Sequence, residues 1–491
     1  MLIVMLMLSC PSGSKGTGET GSTTDPNPCE GVEGADNTRH TEFRYGDVTL
    51  AACRDVVFGG PPVLVPFGAE GGSGSVIVGT RTWWHEAEED WARAVVQQIE
   101  LHPEGENVRV LENEPGIWVE VEGLAEWAAA RGDVVDLNGD RRGDVIFSDG
   151  TNEAALSAFM DFPSASPEVI SLPFEVWDLG DVTGDSIADL ARLIEVQLDP
   201  KDPEDVVTLL SIQALPVEGS LDEQPWEINL GDSFYTGMDA IARQPVDGLV
   251  RGGFDHNGDG IGDVVTGEEI TVYGGPGTVR VFTGPIVETR VGDDADATLR
   301  RQTSTCEASL YPAYCDSVGG YLRSAGDLDG DGYEELLIGS SDTWHDGLTE
   351  SGGIWIVPGP LEGTMDIDFS ASAMIYSTEE WARLPGDIFT GGDLNDDGRL
   401  DLIVSRNNSS DDPEQMGVRL LLGPFEGARD WTDGPQIYNI NWPYINSVAM
   451  NEDLDGDGIH DLVMTEYDPA SLHIWFSTVS MEWPRTHTLT D

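Results

Sequence analysis

Lysine is almost absent: Lys15 and Lys201 are the only two in 491 residues. Arginine brings the basic total to just 25, against 90 acidic side chains, for a formal charge of −65. Such a field repels duplex nucleic acid and anionic membrane surfaces, so neither is expected as a partner. Histidine is also scarce, at 8. No His-rich zinc motif, Gly-rich phosphate loop, nucleophile elbow or Ser/His/Asp set stands out. This removes the local signatures of common enzyme classes, but not catalytic groups gathered from distant segments. The one marked apolar run, residues 2–8 (LIVMLML), is too short to span a bilayer.

Against these gaps stand 39% hydrophobic residues with 14 Trp, 14 Phe and 11 Tyr, enough apolar material for a core. The acidic surplus needs cations facing it, as bound metal or bulk salt, and suits a salty or calcium-rich exterior; plain solubility is the competing explanation.

The apolar run ends at Ser9-Cys10 and gives way to Gly, Ser and Thr. Residues 1–10 resemble a lipoprotein signal in which Cys10 is lipidated, although no basic residue precedes the run. A plain cleaved signal, or a start placed downstream of the true one, are the alternatives. Residues 11–38 are rich in Gly, Ser, Thr and Pro and read as a flexible tether, leaving 39–491 as the folded body. Of the five cysteines, Cys29, Cys53, Cys306 and Cys315 remain after Cys10. Proximity favours Cys29–Cys53 and Cys306–Cys315, two other pairings are formally possible, and free thiols remain open.

One pattern organises the body. It occurs as DLNGDRRGD (136–144), DVTGDSIAD (181–189), DHNGDGIGD (255–263), DLDGDGYEE (327–335), DLNDDGRLD (393–401) and DLDGDGIHD (453–461). Oxygen-bearing side chains fall at positions 1, 3, 5 and 9 of every copy. These are Asp136, Asn138, Asp140 and Asp144; Asp181, Thr183, Asp185 and Asp189; Asp255, Asn257, Asp259 and Asp263. The later copies supply Asp327, Asp329, Asp331 and Glu335; Asp393, Asn395, Asp397 and Asp401; Asp453, Asp455, Asp457 and Asp461. Calcium takes six to eight oxygens in a flexible shell, which alternate side chains of a tight loop provide, with a backbone carbonyl near position 7 adding one. Gly at position 6 in four copies relieves the turn. About six Ca2+ sites are therefore expected, with solvated Asp-Gly turns as the bland alternative. The copy at 181–189 is the weakest, because it offers Thr183 and lacks that Gly. An EF-hand is excluded, since its loop has twelve residues between helices, whereas here each ninth residue runs into a strand-like segment.

Loop starts lie 45, 74, 72, 66 and 60 residues apart, room for a four-stranded antiparallel sheet per repeat. Later repeats add a strand ending in Gly-Pro: VRVFTGP (279–285), IWIVPGP (354–360) and VRLLLGP (418–424). This order resembles the FG-GAP repeat family, known from the head of integrin α chains and from bacterial surface proteins. The resemblance covers roughly residues 45–491 and implies an all-β fold, a seven-bladed β-propeller of four-stranded antiparallel blades with calcium loops on one face. For a seventh copy, Asp47, Thr49, Ala51 and Asp55 fit positions 1, 3, 5 and 9 of a decayed loop, with Cys53 inside it. The long gap to the next loop is read as an insertion near Trp83–Leu101 with a short helix.

Two Arg-Gly-Asp tripeptides, 131–133 and 142–144, invite an adhesion reading, but Asp144 is a ninth-position ligand and Asp133 leads into the same loop. Trp83-Trp84-His85-Glu86 and Trp344-His345-Asp346 are read first as packing, second as carbohydrate-stacking or catalytic clusters. Asn407-Asn408-Ser409-Ser410 holds glycosylation sequons, of little meaning in a bacterial host. The leading functional expectation is an exported, monomeric, calcium-binding propeller at the cell surface or outer membrane, otherwise extracellular. It would present a face to a protein or glycan, as an adhesion module. The alternative is a secreted polysaccharide lyase or hydrolase with structural calcium, and a third reading is an assembly module in a larger surface complex.

Overall fold

The computed structural model describes residues 177–197, 206–213, 226–231, 250–268, 277–301, 318–341, 343, 345, 347–406, 417–438, 445–467 and 470–477. Of the rest it describes Gly74, Leu101 and the strands named below. The fold is all-β: the one α-helix among the described residues is the single turn Ile367–Ser370.

Among the described residues the strands form seven sheets of four or five strands, numbered here in chain order, and one two-stranded pair. Sheet 1 holds Val56–Phe58, Ser75–Glu86, Glu89–Glu100 and Trp118–Glu120, with Val63–Val65 paired alongside. Sheet 2 holds Ala129–Val135, Asp144–Ser148, Leu156–Met160 and Glu168–Leu172. Trp177–Asp178, Leu190–Gln197, Val206–Gln213 and Trp226–Gly231 make sheet 3; Val250–Phe254, Asp263–Glu268, Thr278–Phe282 and Ala297–Arg300 make sheet 4. Sheet 5 comprises Tyr321–Ser324, Leu336–Ser340, Gly353–Val357 and Ala373–Tyr376. Sheet 6 comprises Asp387–Gly392, Asp401–Ser405, Val418–Leu421 and Gln436–Tyr438. Sheet 7 takes Ile445–Ala449, Leu462–Tyr467 and Ala470–Trp475 from the end of the chain and Val48–Ala51 from its beginning. Arg44–Tyr45 and Thr486–His487 form a separate antiparallel pair.

Central strands such as Leu336–Ser340 and Gly353–Val357 are buried along their whole length because alternate side chains enter different cores. Leu336 and Ile338 join a cluster with Val265 and Val281 of sheet 4, whereas Leu337 joins Leu402 and Val404 of sheet 6. The same device repeats between sheets 3 and 4 (Ile212 with Val264), 6 and 7 (Ile403 with Leu462), and 7 and 1 (Ile474 with Val76). Ala129–Val135 of sheet 2 contacts Val63–Val65 on one side and Trp177–Asp178 on the other. Each sheet thus packs on the next, and sheet 7 packs back on sheet 1.

A second tie follows the Gly-Pro turns. Arg290–Val291 adds a parallel strand to the outer edge of sheet 3, Gly363–Asp366 does so for sheet 4, and Gly427–Asp430 for sheet 5. Val108–Val110 covers the outer edge of sheet 7 in the same way. In these four cases, chain from the following sheet covers the edge of the one before.

Two expectations are corrected. Residues 48–51 are not part of a decayed metal loop: they form an extended strand paired antiparallel with Ala470–Trp475, with Thr49 opposite His473 and Leu50 opposite Leu472. Consecutive positions cannot both alternate across a sheet and curl around one ion. The Trp83–Leu101 region holds no helix among its described residues; it is a hairpin of two twelve-residue strands, Ser75–Glu86 and Glu89–Glu100, in register from Ser75↔Glu100 to Glu86↔Glu89.

Candidate metal centre

Five of the six repeated loops lie within the described residues, and each joins the first and second strands of its sheet: 181–189 in sheet 3, 255–263 in sheet 4, 327–335 in sheet 5, 393–401 in sheet 6 and 453–461 in sheet 7. Asp136, Asn138 and Asp140 lie outside the described residues, as do Cys10, Cys29, Cys53, Cys306 and Cys315; Asp144 opens the strand Asp144–Ser148 of sheet 2.

The first aspartate shapes each loop. Asp255 Oδ1 accepts from the Gly258 and Asp259 amides at 2.7 and 3.1 Å, and Oδ2 from Gly260 at 2.8 Å. Asp327 repeats this with Gly330, Asp331 and Gly332, and Asp181 with Gly184, Asp185 and Ser186. Asp393 accepts from Asp397 and Gly398, and Asp453 from Gly456 and Gly458. The fifth residue caps the amide two positions on, at 2.9 Å in Asp259 to Ile261 and Asp331 to Tyr333. The sixth position is left-handed throughout, with φ of 83°, 93°, 80° and 92° at Gly260, Gly332, Gly398 and Gly458, and 71° at Ser186.

The ninth residue is the buried floor. Asp189, Asp263, Asp401 and Asp461 are fully buried and Glu335 is 2% exposed. Each accepts the amide of the loop's second residue: Val182, His256, Leu328, Leu394 or Leu454. Those second residues are themselves buried and anchor the loop to the core. The other oxygen of Asp263 and of Asp401 takes the amide of the turn glycine, Gly284 or Gly423, at 2.8 and 3.0 Å; that of Asp461 takes Ser477 at 2.8 Å. Burial pushes the carboxyls of Asp189, Asp263, Glu335 and Asp401 up to about 7, and that of Asp461 to about 8. The neighbouring loop carboxylates push the same way. These are groups that a cation would return to the ionised form.

Two loops gather their acids tightly: the ligand atoms of Asp327, Asp329, Asp331 and Glu335 lie within 4.8 Å of one another, as do those of Asp453, Asp455 and Asp461. In the first, Glu335 Oε1 is buried with no hydrogen-bond partner. An orphaned carboxylate oxygen beside three aspartates is costly unless a cation completes it, so the donor set fits a hard, oxygen-seeking metal. Where Asn holds position 3, its amide spans the gap: Asn257 Nδ2 donates to Asp259 at 3.0 Å and Asn395 Nδ2 to Asp397 at 3.2 Å. Asp457 caps Ile459 at 2.9 Å, and Thr183 Oγ1 donates to Asp189 Oδ1 at 3.2 Å.

The first Arg-Gly-Asp tripeptide lies within the strand Ala129–Val135, with Arg131 paired to Ile146, and is no loop tip. Trp83–Glu86 end the strand Ser75–Glu86. The His345 ring lies against that of Tyr376, with centroids 4.3 Å apart and a tilt of 36°; Trp344 and Asp346 lie outside the described residues. The ligand spacing alone does not reveal the anchoring second residue or the eighth, which touches the neighbouring loop. An apolar residue at position 2 in five of the six copies, His256 being the exception, was the available signal for the former.

No protein-family model matches the chain. Over 159 residues, 30% of this chain and 14% of the relative, it is 28% identical to integrin alpha-5 of Xenopus laevis. Over 156 residues, 30% of this chain and 18% of the relative, it is 26% identical to phosphatidylinositol-glycan-specific phospholipase D of Mus musculus. The chain spans less than a fifth of the length of either.

Proposed function

We propose that this chain is a seven-bladed, calcium-binding β-propeller, exported and displayed at the cell surface as a binding module for a protein or glycan. The observation that carries the metal is the orphaned, buried Glu335 Oε1 among Asp327, Asp329 and Asp331. By repetition of the loop, positions 1, 3, 5 and 9 of all six copies would supply side-chain ligands, including Asp136, Asn138, Asp140 and Asp144. Bound calcium would neutralise the converging carboxylates and rigidify the loops; its role here is structural.

The succession of seven sheets, with the last packing on the first, supports the propeller reading. The partial likeness to an integrin alpha chain supports a protein-binding role. The phospholipase likeness covers too little of that enzyme to lend this chain an activity. Anchoring through lipid on Cys10, and the pairs Cys29–Cys53 and Cys306–Cys315, belong to the same proposal. No helix among the described residues is long and apolar enough to cross a membrane.

The test is retention of the full chain on glycan and extracellular-protein arrays, in calcium and in chelator, beside a turnover screen on polysaccharides. Calcium-dependent retention without turnover is expected. Release of cleaved product would replace the binding module by an enzyme, and absence of any retained ligand would end the adhesion reading.

A further inference from the structure

The loops touch one another across the sheet boundaries in a regular way. The carbonyl of the first residue of one loop accepts the amide of the eighth residue of the next: Asp181 from Gly262 at 2.8 Å, and Asp255 from Glu334 at 3.2 Å. Between sheets 6 and 7 a side chain takes this part, and the Asp393 amide donates to His460 Nδ1 at 2.9 Å, His460 being eighth in its loop. In all three seams the eighth residue stands next to a ninth-position carboxylate, and the first residue is itself a candidate ligand.

The Gly-Pro turns double two of these links. Gly284 donates to Asp263 in its own sheet, and two residues on the Ile286 amide donates to the Val182 carbonyl, second residue of the preceding loop, at 2.7 Å. After the next Gly-Pro turn, Leu361 donates to His256 Nδ1 at 3.0 Å, again a second residue of the preceding loop. Close packing leaves little slack: a Cβ added to Gly184 would lie 3.1 Å from Ile261, and one added to Gly258 would lie 2.9 Å from the Gly332 carbonyl.

From this we infer that the loops are coupled in neighbouring pairs, 181–189 with 255–263, 255–263 with 327–335, and 393–401 with 453–461, so that a cation in one loop favours a cation in its neighbour. The inference rests on the calcium reading above and adds to it. An empty loop holds repelling carboxylates and opens more readily. Opening releases the eighth residue and loosens the first residue of the loop before it. A filled loop fixes both, so part of the ordering cost of the second cation is met by the first. The coupling is reciprocal, and a typical magnitude is about five-fold or more in affinity.

Hydrogen exchange of the full chain, read by mass spectrometry over peptides spanning 255–263, 393–401 and 453–461, tests this. Emptying the last loop with Asp453→Asn and Asp457→Asn should lower protection of 393–401 in saturating calcium by about five-fold or more, with 255–263 unchanged. The decisive arm is His460→Phe, which removes the acceptor for Asp393 and leaves every ligand in place. It should lower protection of 393–401 while 453–461 stays protected. His460→Asn, whose amide oxygen can accept the same hydrogen bond, should restore it. Unchanged protection of 393–401 in His460→Phe overturns the coupling even if the double variant unfolds. If chelator leaves every loop of the parent protein equally protected, the calcium reading fails instead, a different result.

Discussion

Replacing Asp401 by Asn should change stability in opposite directions depending on whether calcium is present. Asp401 is fully buried and accepts amides at both oxygens, from Leu394 and Gly423, each at 3.0 Å. Asn keeps the shape but offers one accepting oxygen, so one buried amide loses its partner at about 1–3 kcal/mol. Against this, burial, aided by Asp393 and Asp397, raises the Asp401 carboxyl from its ordinary 3.8 to about 7. At about 1.4 kcal/mol per pH unit, keeping it ionised in the folded, metal-free protein costs about 4 kcal/mol. Because the folded value is the raised one, this cost is absent below about pH 3.8, grows up to about pH 7 and is complete above it.

In chelator at pH 8, Asp401→Asn should therefore be more stable than the parent by about 1–3 kcal/mol, the relief less the lost acceptor. Near pH 4 in chelator the relief vanishes and the variant should be the less stable. In calcium at pH 8 the cation already offsets the carboxylate, so the variant loses a ligand and an acceptor together and should be less stable by at least about 1–3 kcal/mol. Urea unfolding followed by tryptophan fluorescence in the three buffers measures this. An equal loss in calcium and in chelator at pH 8 would show that Asp401 is only a backbone anchor and refute its assignment as a ligand.

Two further outcomes follow from the backbone. Ser186 alone among the described sixth positions takes the left-handed conformation without being glycine, so Ser186→Gly should raise the stability of the protein by up to about 1 kcal/mol in denaturant unfolding. A loss would mean that the Ser186 hydroxyl has a role the fold does not show. A Cβ on Gly74 would sit 2.2 Å from the Leu454 carbonyl, across the boundary of sheets 1 and 7. Gly74→Ala should cost about 1–3 kcal/mol in the same assay, and no change would contradict the packing of sheet 7 on sheet 1.

The candidate metal loops were legible because their pattern is local: alternate oxygens within nine residues, then a strand, read directly off the chain. The Gly-Pro turns were legible for the same reason. What they do next was not, since Gly363–Asp366 finds its partner, Ala297–Arg300, in the preceding sheet. The place of Val48–Ala51 in sheet 7 is hidden from the sequence for a related cause. Residues 47–55 match the ligand spacing, but their described part, Val48–Ala51, pairs with Ala470–Trp475 from the opposite end of the chain, and Asp47 and Asp55 lie outside the described residues. Around Trp83–Leu101 the sequence reads as an insertion with a short helix, yet the described residues form a hairpin whose pairing outweighs local preference. The head-to-tail contacts between loops depend on eighth residues as unlike as Gly262, Glu334 and His460, which share a place and no chemistry.

The most direct test of the central claim is the unfolding of the full chain in calcium and in chelator at the same ionic strength. With calcium at 100 times its dissociation constant, each filled site adds about 2.7 kcal/mol, so several sites should raise the thermal midpoint markedly. An identical midpoint in calcium and chelator would contradict the account, because the loops would then be solvated turns and the buried ninth carboxylates would need another partner.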